Sequence, residues 1–219
     1  MPGGRSPRKR LPLVRPWRQS RSAATVQRLA AATMKLLKER DFDAISVDEI
    51  VRAARTSKGS FYFRFATKAD LLRFLAEDMF TALSRESRAF FDAERNRRLP
   101  LAPFLDAFID LVGDVYAGRR NLLRAFMREA RPGGDDVIVA LVRTGSAESA
   151  RQLVEALRSR MGEIKHPAPD VAVVMAVMVL GGLLRQALLF PEQSSLFPAA
   201  SGDLFRRELR RMVESYLKN

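Results

Sequence analysis

SVDEIVRAARTSKGSFYFRFATKADLL, residues 46–72, carries the signals for two short helices, a tight turn between them and the start of a third helix. Ser46 followed three residues later by Glu49 is a capping-box signature, which predicts a helix from Val47. Val47, Ile50, Val51 and Ala54 recur at i, i+3, i+4 and i+7, so one face of that helix is apolar and needs a core to cover it. Arg55 and Thr56 make the turn. Ser57 then caps a second short helix, on which Phe61 and Phe65, four residues apart, turn toward the same core. Lys58, Gly59, Ser60, Tyr62 and Arg64 are left on the outward side: two cations for phosphate charge, two hydroxyls to position, and a glycine that lets a backbone come close. Thr67 caps a third helix with Lys68 in its first turn, where a cation opposes the helix dipole and is better explained by an outside anion. These features predict a DNA-binding helix-turn-helix with Ser46, Arg55, Thr56, Ser57, Lys58, Gly59, Ser60, Tyr62, Arg64 and Lys68 as candidate contacts.

The run from about Leu29 to Leu72 resembles the DNA-binding domain of the TetR family of bacterial one-component transcriptional regulators. The resemblance rests on the joint spacing of DFDAISVDEI, SKGSFY, Arg64-Phe65 and Thr67-Lys68; any one of these alone is weak. Two departures matter. The family usually has glycine where Asp41 and Arg55 stand, at the ends of its first two helices, where a left-handed backbone is commonly required. Asp tolerates that region better than Arg, so Arg55 either strains the turn or is placed to reach DNA. The family also often carries histidine or tyrosine at the position of Arg64, where an arginine would make a phosphate contact permanently charged.

Charge points the same way. Residues 1–68 hold 16 Lys and Arg against 5 Asp and Glu, whereas residues 69–219 hold 22 against 20, so nearly all of the net +13 sits in the N-terminal third. Those basic residues surround a helix-turn-helix rather than one amphipathic face, which favours nucleic acid over a membrane surface. Residues 1–21 contain seven basic and no acidic residues and four prolines, and are expected to be a disordered basic arm. The arm either adds general affinity for polyanions or sends Arg5, Arg8, Lys9 and Arg10 into a minor groove. It lacks the apolar stretch of a secretory signal, and the chain has no cysteine; a cytoplasmic location is expected.

Three segments are expected: the arm at 1–21, a helix-turn-helix domain at 22–68, and a helical effector-binding and dimerisation domain at 69–219. The first helix should span about 22–40, and the connecting helix should run on from Thr67 through Leu83. Further helices are expected over about 101–117, 121–131, 135–162, 169–190 and 202–218, with breaks at Gly118, Pro132 to Gly134, Pro167 to Pro169 and Pro191 to Pro198. No strand pattern interrupts them, so the fold class is all-α. Val171 to Leu184 is a run of apolar or glycine residues, shorter than a membrane span needs, and reads as a helix buried on nearly every side. Gly181 and Gly182 either let helices approach closely or loosen this one.

The resemblance implies that the last two helices pair with their symmetry mates, giving a homodimer on a palindromic operator. It also implies a body cavity for a small-molecule effector, for which Phe104, Phe108, Tyr116, Phe126, Met127, Met175, Met178 and Arg185 are candidate lining residues. Plain core packing is the competing reading of these aromatic and methionine residues. Arg124, Arg128 and Arg185 are the polar candidates, although Arg185 can equally reach solvent at the helix end. No enzyme is expected: the one histidine, His166, lies in a Lys-His-Pro loop, and neither nucleotide-binding glycine motif occurs. No metal or cofactor is expected either. The expected function is a ligand-released repressor; the alternative is a DNA-binding protein without an inducer, of nucleoid type or controlled by a protein partner.

Overall fold

The structure is a computed structural model that describes residues 20–193 and 202–219. Nearly all of the basic arm and most of the linker before the last helix therefore lie outside the described residues. Helices α1 (Ser20–Leu36), α2 (Val47–Ala53) and α3 (Lys58–Tyr62) form a small head, and α4 (Lys68–Asp92) leads away from it. The body comprises α5 (Glu94–Arg98), α6 (Leu101–Glu129), α7 (Asp136–Arg158), α8 (Pro169–Leu189) and α9 (Asp203–Lys218), with no strand among the described residues.

Local chemistry fixes the head helices. The Ser46 hydroxyl accepts the Glu49 N–H at 3.2 Å, and the Glu49 carboxylate accepts the Ser46 N–H at 2.8 Å, closing the capping box. These bonds and Arg40 pull the Glu49 carboxyl down to about 2, so the cap stays ionised at neutral pH. Thr67 and Asp70 make a second box at the start of α4. Leu29, Ile45, Ile50, Phe61 and Leu71 are fully buried in a core that continues without a break into Leu122 and Phe126 of α6. A second core joins Leu101, Phe104 and Leu105 of α6 to Leu157 of α7, Val173 and Leu180 of α8, and Leu209 and Leu217 of α9. Arg160 is buried at its edge, its guanidinium 3.9 Å from the Phe104 ring centre and bonded to the carbonyls of Leu99 at 2.8 Å and Asn96 at 2.6 Å.

Several elements differ from the sequence expectation. The break at Gly118 is a kink instead: α6 runs through it, with a non-helical turn at Arg119 (φ −134, ψ 19). Packing on both sides carries the helix across, and the Arg119 guanidinium is clamped by both oxygens of Glu86 on α4 at 2.7 and 3.1 Å. α8 is not buried on nearly every side. By length and composition it could cross a membrane, yet one face packs on α6, α7 and α9 while Val171, Val174, Met175 and Met178 stay exposed. The apolar stripe of α9 likewise divides, with Leu209, Val213 and Leu217 inward and Leu204, Met212 and Tyr216 exposed. Gly181 and Gly182 meet nothing within 4 Å of a notional Cβ, so neither serves a close approach inside this chain.

Of the two positions where glycine was missed, only one is left-handed. Asp41 is extended (φ −65, ψ 149), contrary to expectation, because the chain enters a 3-10 turn over Phe42–Ala44 rather than ending α1 in a glycine-type cap. Arg55 has φ 50, the only positive value at a non-glycine residue among those described. It occupies the left-handed position of a Schellman motif: the Thr56 N–H bonds to the Val51 carbonyl at 2.9 Å and the Arg55 N–H to the Arg52 carbonyl at 3.1 Å. A Cβ there costs ~1–2 kcal/mol, part of which glycine returns as chain entropy. Arg55→Gly is therefore expected to stabilise the head by about 0.5–1 kcal/mol in thermal melts, and Arg55→Ala to gain nothing; a lower melting point for Arg55→Gly would show that the turn is not strained.

Candidate nucleic-acid interface and body cavity

α3 is held by its ends and by one side. Ser57 caps it, its hydroxyl accepting the Ser60 N–H at 3.1 Å. Phe61 is wholly buried, its ring edge-on to Tyr62 at 5.3 Å and tilted against Phe65 at 5.6 Å. The opposite side presents Gly59, Tyr62 and Phe63, the last two 52 % and 75 % exposed. Lys58 is also exposed and pairs with Asp48 of α2 at 2.8 Å, an ion pair open enough to exchange for a phosphate. That carboxylate holds the Lys58 ammonium above its usual range. A Cβ at Gly59 would meet only the Ser57 hydroxyl, at 3.9 Å, so nothing in the chain requires a glycine inside this helix.

The ten candidate contacts do not all share this face. Arg55 and Ser57 are exposed beside it, and Thr56 and Ser60 are half-buried. Ser46 is exposed but its hydroxyl is occupied in the capping box. Arg64 departs from the outward set: it is half-buried, donates to the Ser60 carbonyl at 2.7 Å and lies over the Phe63 ring at 5.7 Å, so it closes the C-terminal turn of α3. Lys68 has partners within the head rather than an outside anion. Its ammonium sits 4.5 Å from the Phe42 ring centre and donates to the Asp43 carbonyl at 3.3 Å, and burial lowers its pKa. Phe63, which is not among the expected contacts, shares this exposed side with Gly59, four residues before it.

In the body, α4, α6, α7 and α8 line a part-open cavity of about 780 Å³. Phe80, Leu83 and Phe91 of α4, Phe108 and Val112 of α6, Leu141 and Leu153 of α7, and Val177 of α8 supply apolar wall. Of the expected lining, Phe108, Tyr116, Met127 and Arg185 are present. The rest are corrected: Phe104 and Phe126 are consumed by the two cores, and Met175 and Met178 project from the outer face of α8, where helical spacing carries them away from the interior. Arg124 and Arg128 sit outside the cavity, at the seam between head and body. Arg124 reaches Asp41 at 3.7 Å and Glu192 at 2.7 Å, Arg128 reaches Asp41 at 3.6 Å and Asp43 at 3.2 Å, and Asn121 donates to the Leu37 carbonyl at 2.8 Å. Removing Phe61 opens a core cavity, so Phe61→Ala should lower head stability by ~3–5 kcal/mol in thermal or urea melts, whereas Lys58→Ala and Tyr62→Phe should move it by less than ~0.5 kcal/mol. Equal losses from all three would mean that the faces of α3 are wrongly assigned.

Residues 23–74 match the family model described as bacterial regulatory proteins, tetR family, and residues 100–217 match the tetracyclin repressor-like C-terminal domain. The HTH-type transcriptional regulator YwcC of Bacillus subtilis is 42% identical over 59 residues, and the transcriptional regulator AcuR of Cereibacter sphaeroides 42% identical over 67. These alignments cover 27% and 30% of this chain but only 26% and 31% of the relatives' own lengths. Among solved structures, the fold is similar to Salmonella enterica GusR (TM-score 0.61, 21% identity, 89% of this chain and 96% of that one). It is also similar to a Saccharomonospora viridis protein in complex with choline (TM-score 0.68, 12% identity, 90% and 97%). With both of its domain models matched, one of them over more than half its length, this chain belongs to the TetR family of DNA-binding bacterial transcriptional regulators.

Proposed function

We propose that this protein is a homodimeric repressor that binds a palindromic operator through α3 and is released when a small-molecule effector enters the body. The observation that carries the reading is the outward side of α3: Gly59, Tyr62 and Phe63 stand clear of the protein beside the exchangeable Lys58 pair. Gly59 costs helix stability of ~1 kcal/mol relative to alanine without relieving any clash in the chain. Close approach of a nucleic-acid backbone gives it a reason. Tyr62 offers a hydroxyl to phosphate and Phe63 an apolar ring to a thymine methyl. Arg55, Thr56, Ser57, Lys58 and Ser60 complete the proposed contact set, with Ser46 at its edge.

One such helix spans few base pairs, and a twofold pair gains affinity by linking two half-sites. The exposed apolar faces of α8 and α9 supply a surface for that pairing, with Met178 at 65 % exposure near its middle. A cavity of about 780 Å³ fits a drug-sized effector, which favours ligand control over a binding protein without an inducer. Release requires the effector to prefer the state in which the two heads no longer match successive grooves. Residues 22–68 are then the DNA-binding unit and 69–219 the sensing and pairing unit.

Selection of bound fragments from the source genome, run in parallel with wild type and Met178→Glu, tests this reading. Wild type is expected to be dimeric and to enrich a few fragments sharing an inverted repeat, and the variant to be monomeric and enrich none. Broad enrichment without a common repeat by wild type, or the same repeat recovered by a monomeric variant, would overturn it.

A further inference from the structure

The charges on the wall of the body cavity are unevenly compensated. Its two carboxylates are neutralised by arginines that do not line it: Glu86 by Arg119 at 2.7 Å, and Glu148 by Arg151 at 2.8 Å. Its cations are not matched in the same way. Arg88 lies in the field of Glu148, while Arg85 and Arg185 enter no ion pair among the described residues. Arg185 is exposed and stands at the mouth of the cavity, on α8 one helical turn beyond Gly181, which is likewise exposed and lines it. Its charge acts on the Tyr116 phenol, which burial keeps protonated and able to donate. A guanidinium and a phenolic O–H thus adjoin a chamber whose wall is apolar at Phe80, Phe91, Phe108 and Leu153 and polar at Ser84, Ser87, Thr144 and Gln152. A cation would be repelled there, whereas an anion would give the guanidinium the ion-pair partner it lacks among the described residues.

We propose that the cavity takes a small amphipathic monoanion, a carboxylate or sulfonate on an apolar body, with its charged head at Arg185 beside the Tyr116 hydroxyl and its body among the phenylalanines. The inference rests on the effector cavity proposed above and specifies the chemistry of its occupant. It makes Arg185 the residue that separates anionic from neutral effectors of the same shape.

Two fluorescent probes that share a ring system test it: 8-anilino-1-naphthalenesulfonate, which is anionic, and N-phenyl-1-naphthylamine, which lacks the sulfonate. Both are titrated into the full chain without DNA, as wild type, Arg185→Met, Arg185→Lys and Gly181→Leu, with melting curves to verify folding. The expected result is a loss of about tenfold in sulfonate affinity for Arg185→Met, retention by Arg185→Lys, and neutral-probe binding unchanged in both. Gly181→Leu, whose Cβ meets nothing within 4 Å in the chain, fills the chamber and should weaken both probes. If Gly181→Leu weakens both probes but Arg185→Met leaves the sulfonate unaffected, the anion inference is overturned and the cavity stands. If Gly181→Leu changes neither, the probes bind elsewhere and the cavity reading falls with it.

Discussion

The five-residue helix α3 exists only because Phe61 is nailed into the head core. A helix this short does not hold together in water, since nucleating it costs more than its few hydrogen bonds return. Burying the Phe61 ring, at 0 % exposure, contributes roughly 1.5–3 kcal/mol, and the Ser57 cap adds about 1 kcal/mol. Phe65 continues the anchor, its ring tilted against that of Phe74 of α4 at 5.9 Å. Once Phe61 points inward, the turn of about 100° per residue leaves no freedom: Gly59 and Phe63 lie roughly opposite it, and Tyr62 stands to one side. The surface proposed to meet DNA is thus the complement of a packing decision.

The same core extends beyond the head, through Leu72, Leu75 and Met79 of α4 to Leu122 and Phe126 of α6. Added to it is a seam of half-exposed ion pairs that join Asp41 and Asp43 to Arg124 and Arg128. Each such pair is worth little alone, and together they fix orientation more than they add stability. Both α4 and α6 also wall the body cavity. The proposed effector would therefore press on the two helices that seat the head, and release needs no separate relay.

Much of this was legible from residues 46–72, because capping boxes and apolar spacing are local signals. The starts of α2, α3 and α4 stand at their expected residues, Val47, Lys58 and Lys68. The helical angle, not charge, decides where Arg64 and Phe63 fall. Arg64 lies within roughly 60° of Phe61 and is drawn back over the helix end, while Phe63 is on the far side. Asp41 and Lys68 depend on the 3-10 turn at Phe42–Ala44, a nonlocal fit that no short motif encodes. In the body, Phe104, Phe126, Met175 and Met178 are apolar residues on helices whose faces point to four different surroundings. Periodicity shows that each helix has an apolar face but not whether a core, a cavity or open surface covers it.

Operator binding by the outward side of α3 is the claim on which the functional reading stands, and its salt dependence tests that most directly. Affinity for a selected inverted-repeat duplex would be measured over a range of salt for wild type and Lys58→Ala. The slope of log affinity against log salt is expected to flatten by about 0.9 for each lost phosphate contact, or about 1.8 for a dimer with two Lys58 side chains. An unchanged slope in the folded variant would contradict the placement of Lys58 on DNA, and with it the assignment of this face as the gripping surface.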